Sequence, residues 1–177
     1  MNLQPCLDND LIKLRPLLKS DFDQLFLVAQ DPLIWEQHPN RDRYNKNVFT
    51  DFFEDSIKSK GALVVIEKSS NQIIGSSRFK RIDNVANAIE IGWTFLSREY
   101  WGGKFNKSMK KLMIEYAFET FDNIIFYVGK ENIRSQKAVL KIGAKRILGN
   151  ENELLKHKNE NNWTFKINIK DWVNLLT

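Results

Sequence analysis

Apolar residues along the chain change repeatedly between helical spacing and strand spacing. Helical spacing predicts helices over about 20–30, 47–60, 105–121 and 133–142, and Asp171 begins a short terminal helix. Alternating or continuous apolar runs predict strands over 11–17, 62–67, 72–79, 88–96, 124–128, 144–148 and 163–169. No repeat or linker interrupts this order. We expect one mixed α/β (α+β) domain over 1–177, with about seven strands flanked by helices and residues 1–10 as a loose N-terminal arm.

The segment 88–96 is the most regular of the predicted strands. Alternation places Ile89, Ile91, Trp93 and Phe95 on one face and Glu90, Gly92, Thr94 and Leu96 on the other. A glycine in mid-strand weakens the strand unless something approaches the backbone closely, so Gly92 indicates a ligand along its face. Glu90, at one end of that face, is a candidate general base. Its alternative role is that of an exposed strand glutamate.

Composition narrows the class of protein. Of 177 residues, 42% are hydrophobic and 28% are charged, which is ordinary for a folded domain and argues against disorder. A single cysteine, Cys6, excludes an intrachain disulfide, and two histidines argue against a multi-histidine metal site. No apolar run reaches the ~18 residues of a membrane helix, and the first residues lack a secretory pattern. We expect a cytoplasmic protein that binds neither metal nor membrane.

Cations gather at the starts of two predicted helices. The first group is Lys104, Lys107, Lys110 and Lys111, after the turn Gly102-Gly103, and the second is Arg134, Lys137 and Lys141, after Asn132. A helix start has free amides and a positive dipole end that disfavours cations, so a bound polyanion between the two starts would explain this placement. Two solvated helix faces are the alternative. A net charge of +5 also suggests nucleic-acid binding as an alternative function. That function would need a stripe of cations with interleaved aromatic residues.

Two motifs carry a resemblance to a known family. The first is Trp101-Gly102-Gly103-Lys104-Phe105-Asn106. The second has two parts, at the start and the end of one predicted helix: Glu131-Asn132-Ile133-Arg134-Ser135 and Lys141-Ile142-Gly143-Ala144. With the order of elements, they resemble the Gcn5-related N-acetyltransferases (GNAT family), in particular the branch of ribosomal-protein N-terminal acetyltransferases. The resemblance spans nearly the whole chain, from Leu14 to Trp172. It implies a bacterial acyltransferase whose mixed, mostly antiparallel sheet splays between its fourth and fifth strands, with acetyl-CoA in the cleft.

The resemblance also implies site residues for the transfer of acetyl from acetyl-CoA to a primary amine that attacks directly. Glu90 is the implied base, Asn132 contacts the pantetheine arm or the acceptor, and Ser135 is the candidate acid. Implied acetyl-CoA contacts are Trp93, Thr94, Phe95, Leu96, Trp101, Gly102, Gly103, Lys104, Phe105, Asn106, Lys107, Ser108, Asn132, Arg134, Ser135, Lys137 and Lys141.

The acceptor is expected between the N-terminal helices and the polar segment Gly149–Asn162. Candidate residues on one side are Trp35, His38, Arg41, Arg43 and Tyr44, and on the other Lys156, His157 and Glu160. The arginines favour an acceptor that carries a carboxylate or phosphate. A protein N-terminus, a small amine and an aminoglycoside-like compound all stay open as acceptors, as does a homodimer.

Lys104 departs from the family pattern. The family loop reads Gln/Arg-x-x-Gly-x-Gly/Ala, and Lys104 stands where glycine is usual. Either its side chain points to solvent, or its ammonium replaces an amide contact to the pyrophosphate as a point charge. A CoA-binding relative without catalysis is therefore the alternative function, and a basic nucleic-acid-binding protein is the remoter one.

Overall fold

The computed structural model describes residues 1–83, 85–148, 155 and 160–176. The strands are β1 (Leu7–Asp8), β2 (Ile12–Pro16), β3 (Ala62–Glu67), β4 (Ile73–Arg81), β5 (Ala88–Leu96), β6 (Asn123–Gly129), β7 (Lys145–Arg146) and β8 (Asn162–Asn168). The helices are α1 (Phe22–Ala29), α2 (Pro32–Trp35), α3 (Lys46–Lys58), α4 (Lys104–Phe118), α5 (Ile133–Lys141) and α6 (Ile169–Leu176), with short 3-10 turns at Lys19–Asp21 and Arg98–Tyr100.

The strands form one mixed sheet in the order β1-β2-β3-β4-β5-β6-β8-β7. Every neighbouring pair is antiparallel except β5 and β6, which are parallel because α4 connects them. The mixed, mostly antiparallel sheet expected from the sequence is therefore confirmed. The eighth strand is β1, which lies within the segment that we expected to be loose.

The expectation of a loose arm over residues 1–10 is wrong. Strand β1 pairs with β2, with Leu7 opposite Leu14. Pro5 is buried, and the Tyr116 hydroxyl donates a hydrogen bond of 2.9 Å to the Asn2 carbonyl. Met1, Leu3 and Leu7 pack against the core, so the apolar residues of the segment hold it in place.

Strands β5 and β6 separate partway along their length. Their ladder joins Ala88 to Asn123, Ile89 to Ile124 and Glu90 to Ile125, and it ends there. Strand β5 continues to Leu96 and β6 to Gly129 without pairing to each other. Backbone groups on the facing edges beyond Glu90 are thus available to a ligand. These are the fourth and fifth strands of the sequence prediction, so the predicted splay is confirmed.

The two largest apolar cores among the described residues lie on opposite faces of the sheet. The first contains α4 and α6 residues such as Met109, Met113 and Trp172. The second contains α1, α2 and α3 residues such as Leu25, Trp35 and Phe49. The sheet is therefore covered on both faces, which is why β3 and β4 are buried almost throughout.

A bulge in β5 changes the faces predicted for this strand. Ser76 pairs with Phe95 and Arg78 with Gly92, so Ser77 alone stands opposite both Trp93 and Thr94. Trp93 accommodates the extra residue with a φ of 53°, in the left-handed region. Because a bulge inverts the alternation, Leu96 joins Ile89 and Ile91 in the first core, while Phe95 packs in the second. The predicted sharing of one face by Ile91 and Phe95, and by Glu90 and Thr94, is wrong.

Candidate active site

The turn before α4 has open space around its glycines. Gly102 has a φ of 68°, which favours glycine, and a Cβ added there would meet no atom within 4 Å. Gly103 is the N-cap of α4 with an ordinary φ of −111°, and its nearest neighbour would be the Trp101 carbonyl oxygen at 3.8 Å. Among the described residues, nothing requires a glycine at position 103. The N-cap Gly103 makes no side-chain cap bond, so the first amides of α4 face this space.

The lysines of α4 divide into two groups. Lys104 and Lys107 are exposed beside the turn, and Lys111 is exposed with Glu115 at 3.8 Å. Lys110 is only 6% exposed, and its ammonium Nζ donates to the Thr94 hydroxyl at 2.8 Å. Burial lowers the pKa of Lys110 to about 7. Our grouping of Lys110 with an exposed cationic cluster is therefore wrong, because its side chain turns under β5.

Two other predicted contacts of α4 are engaged within the protein. The Ser108 hydroxyl accepts a hydrogen bond from the side-chain amide of Asn9, in the β1–β2 turn. The Ser108 side chain therefore contacts this turn and not the glycine turn. The Phe105 ring packs edge-on against Tyr100, with ring centres 4.7 Å apart. Asn106 is partly exposed.

The start of α5 is built around a cap. Asn132 is buried, and its Oδ1 accepts from the Ser135 backbone N–H at 3.1 Å. This bond gives a structural reason for the Asn132-x-x-Ser135 spacing. Lys137 and Lys141 are exposed on the same helix.

Arg134 and Trp101 link the two helix starts. The Arg134 guanidinium lies over the Trp101 ring, and it donates to the Ile34 carbonyl at 2.7 Å. The Trp101 indole N–H donates to the Leu96 carbonyl at 2.9 Å. The structure therefore brings the starts of α4 and α5 together beside the open end of β5. The Arg134 guanidinium, however, contacts Trp101 and Ile34 of the protein itself.

Glu90 is the last residue of β5 that pairs with β6, and it is 8% exposed. Burial raises the pKa of its carboxyl to about 7, against the opposing charges of Lys80 and Arg78. A Cβ at Gly92 would lie 2.9 Å from the Glu90 Oε1. Gly92 therefore makes room for the Glu90 carboxylate, a reason for the glycine that the sequence did not reveal.

Tyr127 is a neighbour of Glu90 that the sequence prediction passed over. It lies on β6, two residues beyond Ile125, the partner of Glu90. Burial, and then the charge of Glu90, raises the pKa of its phenol to about 12. Its hydroxyl is thus protonated at neutral pH, and cross-strand neighbours were the signal that could have found it.

Of the residues predicted for the acceptor, Trp35 and Arg43 are buried. Trp35 is 2% exposed, and its indole N–H donates to the Ala29 carbonyl at 2.7 Å. It belongs to the second core, so its prediction as a residue of an open pocket mouth is wrong. Arg43 is 8% exposed, with its guanidinium 4.2 Å from the centre of the Phe52 ring.

Of the remaining acceptor candidates, His38 is partly buried, and the others lie at the surface or outside the described residues. Arg41 is exposed and pairs with Glu131 at 3.3 Å. Tyr44 and Glu160 are exposed. Lys156 and His157 lie outside the described residues.

Arg78, on β4, is a buried cation that the sequence prediction missed. It stands opposite Gly92, with its guanidinium 4.5 Å from the centre of the Trp93 ring. Nη1 donates to Asp55 at 2.8 Å and Nη2 to the Ser56 hydroxyl, while the buried Nε finds no partner in the described part of the chain. An arginine inside an apolar strand segment was the signal in the sequence.

Other features lie away from this region. A cavity of about 400 Å³ lies beside Ala88 at the beginning of β5, away from the splayed end, and is lined by Ala88, Phe121 and Arg81 among others. Within the described ranges, no cluster of three or more His, Cys, Asp or Glu side chains could hold a metal ion. Likewise, none of the helices described is both long and apolar enough to cross a membrane.

Comparisons with solved structures agree with the fold. A Gcn5-related N-acetyltransferase from Brucella melitensis is 18% identical, with a TM-score of 0.78 over 97% of this chain and 82% of that one. RimJ from Mycobacterium smegmatis, in complex with CoA-disulfide, is 13% identical, with a TM-score of 0.64 over 95% and 88%. Spermidine N-acetyltransferase from Vibrio cholerae, in complex with CoA and spermine, is 15% identical, with a TM-score of 0.68 over 94% and 100%.

Sequence comparison supplies the family. No curated protein matches the chain. The family model of the GNAT acetyltransferase domain matches residues 12–145, which include the splayed strands, the glycine turn and α5. Since this match covers most of the chain and the fold agrees with it, the chain belongs to the GNAT family of acetyltransferases.

Proposed function

We propose that this acetyltransferase moves an acetyl group from acetyl-CoA to a primary amine by direct attack, without an acyl-enzyme. The observation that carries the proposal is the open turn at Gly103, where free helix amides meet empty space beside two splayed strands. Two proteins of similar fold were solved with CoA or its disulfide, which supports the same ligand class here. The proposed setting is the bacterial cytoplasm.

The residues around this turn fit a pyrophosphate. The first amides of α4 would donate to its oxygens, and exposed Lys104 and Lys107 would supply positive charge. Lys137 and Lys141 lie on the second helix of the site and would add to the field. The unpaired edge of β5 over Trp93–Leu96 would hold the pantetheine arm by backbone hydrogen bonds.

Glu90 is proposed as the general base. The amine reaches the enzyme as an ammonium ion, and its proton passes to the Glu90 carboxylate directly or through one water. The neutral nitrogen then bonds to the thioester carbon while the carbon–sulfur bond breaks. Backbone N–H groups at the β5 bulge, between Trp93 and Phe95, would stabilise the charge that develops on the carbonyl oxygen.

The departing thiolate must take up a proton. Ser135, beside the Asn132 cap, is the proposed donor, and it regains a proton from the one that the attacking nitrogen loses as the amide forms. Asn132 is proposed to contact the pantetheine arm or the acceptor. Tyr127 is a second protonated hydroxyl, close enough to Glu90 for the two pKa values to be linked. Loss of activity in Ser135→Ala but not in Tyr127→Phe would assign the donor to Ser135.

An assay with two readouts tests the proposal. The protein is incubated with acetyl-CoA and a panel of primary amines, and both free thiol and the mass of the acetylated amine are measured. We expect thiol release that depends on the amine, with an equal amount of N-acetyl product. Binding of CoA without product from any amine would instead support the non-catalytic alternative, and no binding of CoA at high micromolar concentration would overturn the proposal.

A further inference from the structure

Arg43 is a buried cation that forms no ion pair in the described part of the chain, although the charges of Asp42 and Asp55 act on it from a distance. Its Nη1 lies 3.4 Å from the Nε2 of His38, and its remaining close contacts are the faces of Phe52 and Trp35. Burial, and then the charge of Arg43, lowers the pKa of His38 to about 4, so His38 is neutral. Its Nδ1 accepts from the Asn40 N–H at 2.9 Å, which leaves the ring proton on Nε2, so Nε2 cannot accept a hydrogen bond from Arg43. A guanidinium removed from water is normally compensated by a carboxylate or phosphate.

Arg78 brings a second buried guanidinium to the same place. Both guanidinium carbons lie over the Phe52 ring, Arg43 at 4.2 Å and Arg78 at 5.9 Å. Asp55 pairs with Arg78 from an exposed position, and the buried Nε of Arg78 has no hydrogen-bond partner among the residues that the structure describes. Burial, and then the charge of Arg78, lowers the pKa of Arg43 to about 10. Two buried cations thus share one paired carboxylate.

Arg78, one of these two arginines, lies on the same face of the sheet as the proposed base. Arg78 stands opposite Gly92 and Lys80 opposite Glu90, so all of these residues share one face of the sheet. Diagonal neighbours on a sheet face are roughly 7–8 Å apart, which is about the length of one amino acid. An oxyanion bound at the arginines would therefore leave a nearby amine of the same molecule at Glu90.

Resting on the proposed function, we infer that the acceptor amine carries an oxyanion, a carboxylate or a phosphate, that binds between Arg43 and Arg78 close to Glu90. The oxyanion replaces the long contact of Arg43 with His38 and supplies the missing acceptor. Of the arginines predicted to bind the acceptor, Arg43 is retained in this proposal. Arg78 takes the place of Arg41, which is exposed and pairs with Glu131. A polycation such as spermine, which the compared enzyme from Vibrio cholerae binds, would be repelled here.

Matched acceptors test the inference. Acetylation rates are compared for an amino acid and its amide, and for phosphoethanolamine and ethanolamine, with spermidine as the polycation. We expect kcat/KM at least about tenfold higher for the anionic member of one pair or both, which also separates carboxylate from phosphate. Equal rates within both pairs, or spermidine as the best acceptor, would overturn the inference.

Variants assign the effect to the arginine pair. Arg43→Gln is expected to raise KM for the anionic acceptor and to leave the neutral acceptor nearly unchanged. Arg81→Gln, an exposed arginine on the same strand as Arg78, is the control and should keep the preference. Should the glutamine variant not fold, Arg43→Lys keeps the charge but loses the fork, and its preference should fall but persist. An unchanged preference in a folded Arg43 variant contradicts the inference.

A binding measurement separates this inference from the proposed function. Titration of an N-acetyl amino acid and its amide into the CoA-saturated protein needs no turnover. Tighter binding of the anion by wild type than by Arg43→Gln supports the anion site even if no amine is acetylated. Equal affinity for the acid and the amide overturns it even if the enzyme is active.

Discussion

The guanidinium carbon of Arg134 lies 3.9 Å from the centre of the Trp101 ring. This contact joins the loop after β5 to the helix after β6, across the place where the two strands have separated. Arg134 also donates to the Ile34 carbonyl. One side chain of α5 therefore contacts both α2 and the loop after β5.

Removing this guanidinium should loosen the site. For Arg134→Ala we expect a loss of about 1–3 kcal/mol in the free energy of unfolding, from one charged hydrogen bond and one cation–π contact. Arg134→Lys should lose less, since it keeps a charge but cannot stack as a plane. Urea unfolding measures both, and an alanine variant as stable as wild type would show that the contact contributes nothing.

Buried Lys110 should destabilise the protein at low pH. Its pKa falls from the ordinary 10.5 to about 7 on folding, so the unfolded chain binds more protons between these values. Stability attributable to Lys110 therefore rises as the pH increases from about 7 towards 10.5, and the full penalty is present below 7. Lys110→Met should be more stable than wild type by roughly 1–4 kcal/mol at pH 6, with the difference shrinking above pH 7.

Denaturation curves of the Lys110→Met variant between pH 6 and pH 10 measure this difference. Lys107→Met, an exposed lysine on the same helix, serves as the matched control and should show no such dependence on pH. A difference that stays constant across the range would mean that the Lys110 amine does not lose its proton in the folded protein.

Glu90 should set the acid limb of the rate profile. Its carboxyl has a folded pKa of about 7, and a base must be ionised, so kcat/KM should fall as the pH drops below 7. Glu90→Gln should lower kcat by about 10²-fold or more and abolish this limb while CoA affinity is kept. A profile from pH 6 to pH 9 that the variant leaves unaltered would remove Glu90 from the mechanism.

Lys104 should contact the cofactor through its charge. Its exposed ammonium stands at the first residue of α4, where a solvated lysine opposes the helix dipole. Lys104→Ala should weaken CoA binding by about 1–2 kcal/mol, and more at low salt. Tighter binding by Lys104→Gly would show instead that the side chain only obstructs the backbone.

Periodicity and local motifs predicted most of the helices and strands, although not α2 or β1. The site of the splay was an expectation from the family resemblance and not from periodicity. The bulge at Trp93 could not be predicted, since it arises from the register of β5 against β4, a long-range property. Lys110 was assigned to the surface because helical spacing does not show that a long cation bends under a strand to meet Thr94. Arg78 was missed since its partners, Asp55 and Trp93, come from different elements.

The central claim is that CoA binds against the glycine turn, and Gly103→Asp tests it most directly. Aspartate suits the N-cap and the φ of −111°, and the nearest atom to its Cβ would be 3.8 Å away, so folding should be unaffected. Its carboxylate would occupy the space proposed for the pyrophosphate, while Gly103→Asn adds the same bulk without charge. In isothermal titration with CoA, we expect micromolar binding by wild type, at least about tenfold weaker binding by the asparagine variant and none by the aspartate variant, at unchanged melting temperature. Equal CoA affinity in all three proteins would contradict the account.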